Sequence, residues 1–235
     1  MQNTDTEYKR IVQGDYSTNY KIVLNNVEYA QNHIWSGRIR RNIFQDNPVI
    51  GKAIVGEIDV TIDFPDVEVP IRAKIEPYVQ VEDMAGNTSG WLRKGIYYID
   101  TREKEEGIDK LHLHGYDDMI KADTMYDGSS LAWPATKRQV LNEIASFMGV
   151  QLDARTQTAF PNDSDYCVKM PTNYTYREVL GFIGSMKCGN FCMSDNGELL
   201  FIGLNDLPDE TFYLISESGS YITFGGTKIL IRAVS

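Results

Sequence analysis

The sequence is short of the residues that most enzyme chemistry needs. Three histidines and three cysteines are spread over 235 residues. An odd, sparse set of cysteines (Cys167, Cys188, Cys192) excludes a disulfide framework. Cys188 and Cys192 sit at the wide end of metal-ligand spacing, but no second Cys/His pair follows, so buried free thiols are expected. The chain has no Gly-rich phosphate loop, no G-x-G-x-x-G behind a strand, no G-x-S-x-G elbow and no H-E-x-x-H helix. No apolar run approaches the roughly 20 residues of a membrane helix. Mean hydropathy is -0.33. The start, Met1 to Tyr8, lacks the charged-then-apolar order of a signal peptide. Synthesis and folding in a cytoplasm, without membrane insertion, are therefore expected.

Positive charge is also scarce. Against 33 acidic residues stand 23 basic ones, a net charge of -10. Gripping a phosphate backbone needs clustered Lys and Arg. The local basic cluster is Arg38-Ile39-Arg40-Arg41. On a strand, Arg38 and Arg40 share a face, which reads as a sheet edge or a subunit contact.

What the sequence does have is alternation. From Glu57 to Phe64, Ile58, Val60, Ile62 and Phe64 are apolar, while Glu57, Asp59, Thr61 and Asp63 are polar. That period of two marks a strand with one buried and one wet face, as in antiparallel sheets. Tyr20 to Leu24 and Val27 to Tyr29 flank Asn25-Asn26, a tight-turn pair. Ile34 to Ile39, the Ile71/Ala73/Ile75 set, Val79 and Val81, Trp91-Leu92, Gly95 to Ile99 and the Leu111/Leu113 pair read as further strands. Glu82 to Asn87 reads as a hairpin loop and Thr101 to Gly107 as a charged turn. Residues 20 to 115 thus predict a barrel or sandwich.

After Gly115 the period changes. Asp117 to Ala122 suggests a short helical turn, and Trp133-Pro134 interrupts regular structure. Thr136 to Gln139 is a capping box ahead of the stripe Val140, Leu141, Ile144, Ala145 and Met148, with Gly149 as a stop. Thr175 to Glu178 repeats the pattern ahead of Val179, Leu180, Ile183 and Met186, with Gly189 as the stop. Phe191 to Met193 and Glu198 to Ile202 flank Asp195-Asn196-Gly197, a hairpin signal. Thr211 to Ile215, Tyr221 to Phe224 and Lys228 to Arg232 are β again. The last strand has no polar tail, so the native chain is expected to continue past Ser235. The fold class is therefore α+β, mainly β: an antiparallel barrel or sandwich with a small helix-helix-hairpin α/β domain. The expected domains are an arm or leading edge strand over 1–19, a barrel over 20–132 and an α/β domain over 133–205. Strands over 206–235 would return to the first barrel or start a second.

Few residues form reactive constellations. His112 and His114 share a strand face, and a metal there would need a third ligand such as His33 or Asp117. Alternation with Leu111 and Leu113 explains them equally as a wet face. Glu57, Asp59 and Asp63 could serve carboxylate hydrolysis or simply face water. Asp195 to Glu198 lacks the ligand spacing of a calcium loop. Tyr97 and Tyr98 point to opposite faces, which excludes a base-stacking platform. Trp35, Trp91 or Trp133 could form a sugar platform, though a lone Trp is more often core.

Several runs, in this order, resemble tail hub proteins of long-tailed bacteriophages and prophages. They are Gly95-Ile-Tyr-Tyr-Ile-Asp-Thr-Arg-Glu103 followed by Leu111-His-Leu-His-Gly-Tyr-Asp117, then the Trp133-Pro-Ala-Thr136 helix start. Thr175-Tyr-Arg-Glu-Val-Leu-Gly181 and the hairpin Gly189-Asn-Phe-Cys-Met-Ser-Asp-Asn-Gly-Glu-Leu199 follow. Asn47-Pro-Val-Ile-Gly-Lys-Ala53 and the Glu57 strand also fit, so the resemblance covers roughly residues 35 to 205. It implies a baseplate or tail-tip hub, related to the central hub of contractile tails and to the type VI secretion spike. Such hubs form trimeric rings with two barrels per subunit, whereas this chain offers one complete barrel, so a higher ring stays open. The resemblance implies no catalytic residue, no cofactor and no metal. The implied partners are further copies of the chain, tail-tube or distal tail proteins, and tip, spike or fibre proteins. DNA would only pass through the lumen, which an acidic wall would not grip. The alternatives are a metal- or carboxylate-dependent hydrolase and a carbohydrate-binding adhesin module.

Overall fold

A computed structural model describes residues 4–41, 49–63, 68–104, 109–161 and 169–204, and the backbone of short strands between 211 and 232. Two compact units, Met1–Ile202 and Gly203–Ser235, are distinguished.

The first unit opens on helix α1 (Thr6–Ile11), where the sequence suggested an arm. Asp5 caps it through Tyr8 N–H and also accepts from Gly90 N–H at 2.7 Å, while Ile11 is buried. These tertiary contacts hold a helix too short to form alone. Eight strands then form one sheet: β1 (Tyr16–Leu24), β2 (Val27–Ala30), β3 (Ile34–Arg40), β4 (Glu57–Asp63), β5 (Lys74–Asp83), β6 (Leu92–Arg93), β7 (Tyr97–Lys104) and β8 (Lys110–Tyr116). Their order is β2-β1-β5-β7-β8-β4-β3, with β6 also on β5, and every pairing is antiparallel.

Local chemistry explains most of this. Asn25 (φ 47°) and Asn26 (φ 68°) take the left-handed conformations of a two-residue hairpin. The β4 alternation is realised: Ile58, Val60 and Ile62 are at most 2% exposed, and their polar neighbours face outward. Pro77 interrupts β5 between its pairings with β7 and β6, where its missing N–H costs no ladder bond. Two readings need correction. Ile71 is not core; it is 74% exposed in a turn closed by Ala73 N–H to Pro70 C=O, and the strand starts at Lys74. Thr101 to Lys104 is not a turn but the end of β7, paired with β8 from His114 to Leu111. Both faces there are wet, so no alternation marks it.

A 3-10 turn, Asp118–Asp123, leads into the helical part. Helices α2 (Lys137–Met148) and α4 (Tyr176–Met186) both begin with complete capping boxes, on Thr136/Gln139 and Thr175/Glu178. Gly149 ends α2 at φ 75°. The α4 stop differs from expectation: Cys188 takes the positive φ, and Gly189 opens the next strand. Met186 is 57% exposed, outside the stripe. Helix α3 (Ala154–Ala159), capped by Asp153, lies between the two helices that the sequence predicts and is an element the sequence reading lacks. The hairpin β9 (Gly189–Met193) and β10 (Leu199–Gly203) turns at Gly197, φ 77°. Extended segments flank it, through Ala53 beside Phe191 and Leu152 beside Leu199, so it is the centre of a small sheet.

Two clusters make the core. One joins Ile22, Leu24, Ile58, Val60, Ile62, Ile75, Tyr97, Ile99 and Leu113 of the large sheet. The other packs α2 and α4 on the hairpin through Leu141, Ile144, Leu180, Ile183, Phe191 and Phe201. Each fully buried aliphatic contributes about 1.5–3 kcal/mol.

In the second unit, β11 (Thr211–Tyr213) pairs with β14 (Leu230–Arg232), and β12 (Thr223–Phe224) with β13 (Thr227–Lys228). The mainly antiparallel α+β class is as the sequence predicts. Phe64, Cys167 and the start of the Asn47 run lie outside the described residues.

Candidate assembly surfaces

The outer face of β3, β4 and β8 collects the residues singled out as chemical. His114 Nδ1 lies 2.8 Å from Asp59 Oδ1, and His112 Nε2 is 3.9 Å from the same oxygen. His112 Nδ1 is 3.3 Å from Thr61 Oγ1. Arg40 lies 3.3 Å from Glu57 and 3.4 Å from Asp59. Asp63 accepts from Trp35 Nε1–H at 2.6 Å and sits 2.8 Å from His33 Nδ1, contacts that hold its carboxyl below the usual range. Lys110 Nζ stands 3.6 Å over the Trp35 ring. The face is thus a set of cross-strand ion pairs and hydrogen bonds.

The proposed third metal ligands do not join it. His33 is taken by Asp63. Asp117 is buried elsewhere, accepting from Gly56 N–H at 2.8 Å and Met119 N–H at 3.1 Å. Among the described residues, no three His, Cys, Asp or Glu side chains are placed to hold a metal ion. Cys188 is exposed, and burial pushes the Cys192 thiol up to about 12. The carboxylates Glu57, Asp59 and Asp63 each have a basic or indole partner. Trp133 packs on the helical core, whereas Trp91 is 38% and Trp35 61% exposed.

The basic cluster divides. Arg38 is exposed on β3, and Arg40 joins the outer face. Arg41 turns inward and ties the large sheet to the hairpin: its guanidinium donates to Tyr97 Oη at 3.0 Å, to Lys94 C=O at 2.6 Å and to Asp195. Arg93 reinforces the tie through Glu76 Oε1 at 2.9 Å, Asp195 C=O at 3.1 Å and Asn196 Oδ1 at 3.1 Å. Asp195 to Glu198 is therefore both a turn and a receptor for two arginines. Beside it, burial raises the Asp117 carboxyl to about 7 and the Tyr97 hydroxyl to about 12. Sequence reasoning missed this cluster. The one local signal was Asp117 itself, in the position of a helix cap.

Strand edges are the other surface. On the far side of β1, pairing with β2 stops at Lys21–Ala30, and β3 pairs only with β4 among the described strands. Exposed edges are templates for further strands unless covered or charged. Tyr16, Tyr20, Trp35 and Ile39 stand exposed along them. No described helix is long and apolar enough to cross a membrane.

No family model and no curated protein matches the sequence. Solved structures do share its fold. One is a 43 kDa tail protein of prophage MuSo2 from Shewanella oneidensis, 14% identical with a TM-score of 0.51, matched over 81% of this chain and 56% of that one. Another is a tail protein from Neisseria meningitidis MC58, 12% identical with a TM-score of 0.52, matched over 79% of this chain and 51% of that one. The chain spans about half the length of these two proteins, and over that span it shares their fold.

Proposed function

We propose that the chain is a structural component of a phage or prophage tail, forming a hub that joins the tail tube to the host-contacting tip by self-association. The observation that carries this reading is the fold shared with two prophage or bacterial tail proteins over about four fifths of the chain. The strand edges support it, because edge pairing is a direct route from one copy to a ring. The partners are further copies of the chain in a trimer or higher ring, then tail-tube or distal tail proteins, then tip, spike or fibre proteins. The module works by binding rather than by catalysis, in a virion tail assembled after synthesis in the bacterial cytoplasm. The net charge of -10 suits a wall past which DNA slides without being held. Strands after residue 205 pair among themselves and begin a second barrel in this reading.

Light scattering at high protein concentration, with negative-stain microscopy of the same sample, tests the proposal. Discrete rings of three or more copies are expected. A strict monomer that also binds no tail-tube or tip protein would remove it.

A further inference from the structure

All three histidines of the chain stand on the outer face of the large sheet. Each is set against a carboxylate of β4. His33, just ahead of β3, has Nδ1 2.8 Å from Asp63 Oδ2, with Asn32 beside its other nitrogen at 3.1 Å. His112 and His114 are two apart on β8 and share a face. Both reach Asp59 Oδ1, at 3.9 Å and 2.8 Å. Imidazole is the side chain whose charge ordinarily changes between pH 5 and 8. Asp117, whose carboxyl burial raises to about 7, lies in the seam beside Gly56 and not on this face. A change of pH across the histidine range therefore acts on the exposed charge of one face.

Strand register fixes the rest of that face. From β3, Arg38 lies opposite Asp59 and Arg40 opposite Glu57. From β8, Lys110 lies opposite Asp63, and Tyr116 lies opposite Glu57 with its ring 4.8 Å from that of His114. From β7, Glu103 lies opposite His112 and Thr101 opposite His114. Arg102 and Lys104 alternate to the other side, across from Leu113 and Leu111. Among the described residues of β3, β4, β7 and β8, the face thus holds the cations Arg38, Arg40 and Lys110 and the anions Glu57, Asp59, Asp63 and Glu103. It carries -1 with the histidines neutral and +2 with all three protonated. By formal charge the remainder of the chain carries -9. Opposite signs on two surfaces raise encounter and fix orientation, and like signs suppress them.

We propose that this face is a pH-gated contact: protonation of His33, His112 and His114 turns it positive and lets it seat on the acidic surface of a second copy of the chain. Above the histidine range the face is weakly acidic and repels that surface. The face and its target differ in sign, so they are not the same patch on two copies. The contact is then head-to-tail, which closes into a ring or grows as a filament. It rests on the self-association reading above and adds the regulation of that association.

The test is sedimentation over a concentration series at pH 5.5 and pH 8, both above the isoelectric point of about 4.8. Four proteins are compared: the wild type, His33→Gln/His112→Gln/His114→Gln, His112→Lys/His114→Lys, and Asn142→Lys/Gln151→Lys. The last pair adds the same charge at exposed positions of the helical part, which separates the charge of the face from that of the whole chain. The wild type should associate at least about fivefold more tightly at pH 5.5 than at pH 8, with the gain shrinking in high salt. The glutamine variant should associate alike at both. At pH 8 His112→Lys/His114→Lys should associate more tightly than the wild type, and Asn142→Lys/Gln151→Lys should not. The two lysine pairs decide the matter by themselves where the glutamine variant does not fold. If the wild type associates equally at both pH values, if the glutamine variant keeps the pH response, or if the two lysine pairs behave alike, the gate is overturned while self-association stands. A wild type that is monomeric at both pH values overturns both.

Discussion

The large sheet and the helix-hairpin unit bury their apolar residues in different ways. Strands β4 and β8 alternate strictly, one side in the core and the other half-covered by ion pairs. The hairpin strands β9 and β10 are buried on both faces, by helices and flanking segments. Among the described residues the sheet ends on unpaired edges, whereas the hairpin has an extended segment beside each strand. A closed unit of the second kind gains stability; an open one of the first kind keeps surfaces for partners. In the self-association reading proposed above, stability and assembly are separated within one unit of the chain, and mutations should separate them too.

The sharpest test of that contrast is truncation of the two cores. Phe191 is fully buried, with ring centroids 5.2 Å from Phe201 and 5.9 Å from Phe160. Phe191→Ala should cost about 3–5 kcal/mol, because the closed packing around it cannot collapse. Val60 is as buried, but it borders an open trough of about 450 Å³ lined by residues of β1 and β3. Val60→Ala should cost about 1.5 kcal/mol, near the transfer value of the lost methyls alone. Denaturant unfolding of both variants reads the difference, and equal costs would break the comparison.

Next in size is the tie between the regions. Arg41→Ala leaves the half-buried Asp195 and the fully buried Tyr97 without their shared donor and should cost about 2 kcal/mol. Loss of cooperativity in the melt, with the sheet and hairpin unfolding separately, would sharpen the picture. A melt displaced by under about 0.5 kcal/mol would remove Arg41 from it.

Asp117 sits in the same seam and gives it a pH dependence. Its folded pKa is raised to about 7 by burial, from the ordinary value of 3.8. Between those values the folded state binds a proton that the unfolded state has lost. This contribution to stability therefore declines as pH rises from about 4 towards 7. Asp117→Asn removes the titration but weakens one of two backbone acceptors. The variant should be less stable than wild type at pH 5, and the gap should narrow by pH 8. Paired melts across that range read the slope; a gap constant with pH would assign Asp117 an ionised state throughout.

How much of this was legible depended on distance along the chain. Both capping boxes, the Asn25-Asn26 turn, the β4 alternation and the Asp195-Asn196-Gly197 hairpin are local signals, and each formed where its residues stand. The end of β7 was not legible because both its faces are wet. Helix α3 carries no apolar stripe and rests on Asp153 and on Thr156 Oγ1–H donating to Leu199 C=O. The Arg41–Asp195 contact joins residues 154 positions apart, which no periodicity reports. The exposure of Tyr20 and Ile39 is similar: both are ordinary in sequence, and only the register of β1 and β3 shows that they lie on the core-facing side.

The smallest predicted effect concerns how each region makes its reversals. The sheet turns at Asn25 and Asn26, residues that tolerate positive φ because their short polar side chains bond locally. The helical unit turns after α4 at Cys188, φ 52°, a residue with no such compensation, one position before the glycine that sequence reasoning made the stop. Gly189 cannot serve as that stop, since it already begins β9 and faces the Ile202 carbonyl, where a Cβ would lie 2.4 Å away. Cys188→Gly should therefore stabilise the chain by about 1 kcal/mol, while Asn26→Gly should gain less than about half of that. Cys188 is exposed and is not in a disulfide, so the change removes little packing. Thermal melts of the two single variants decide it. A larger gain at Asn26 would mean that the strain of reversal lies in the open sheet and not in the closed unit.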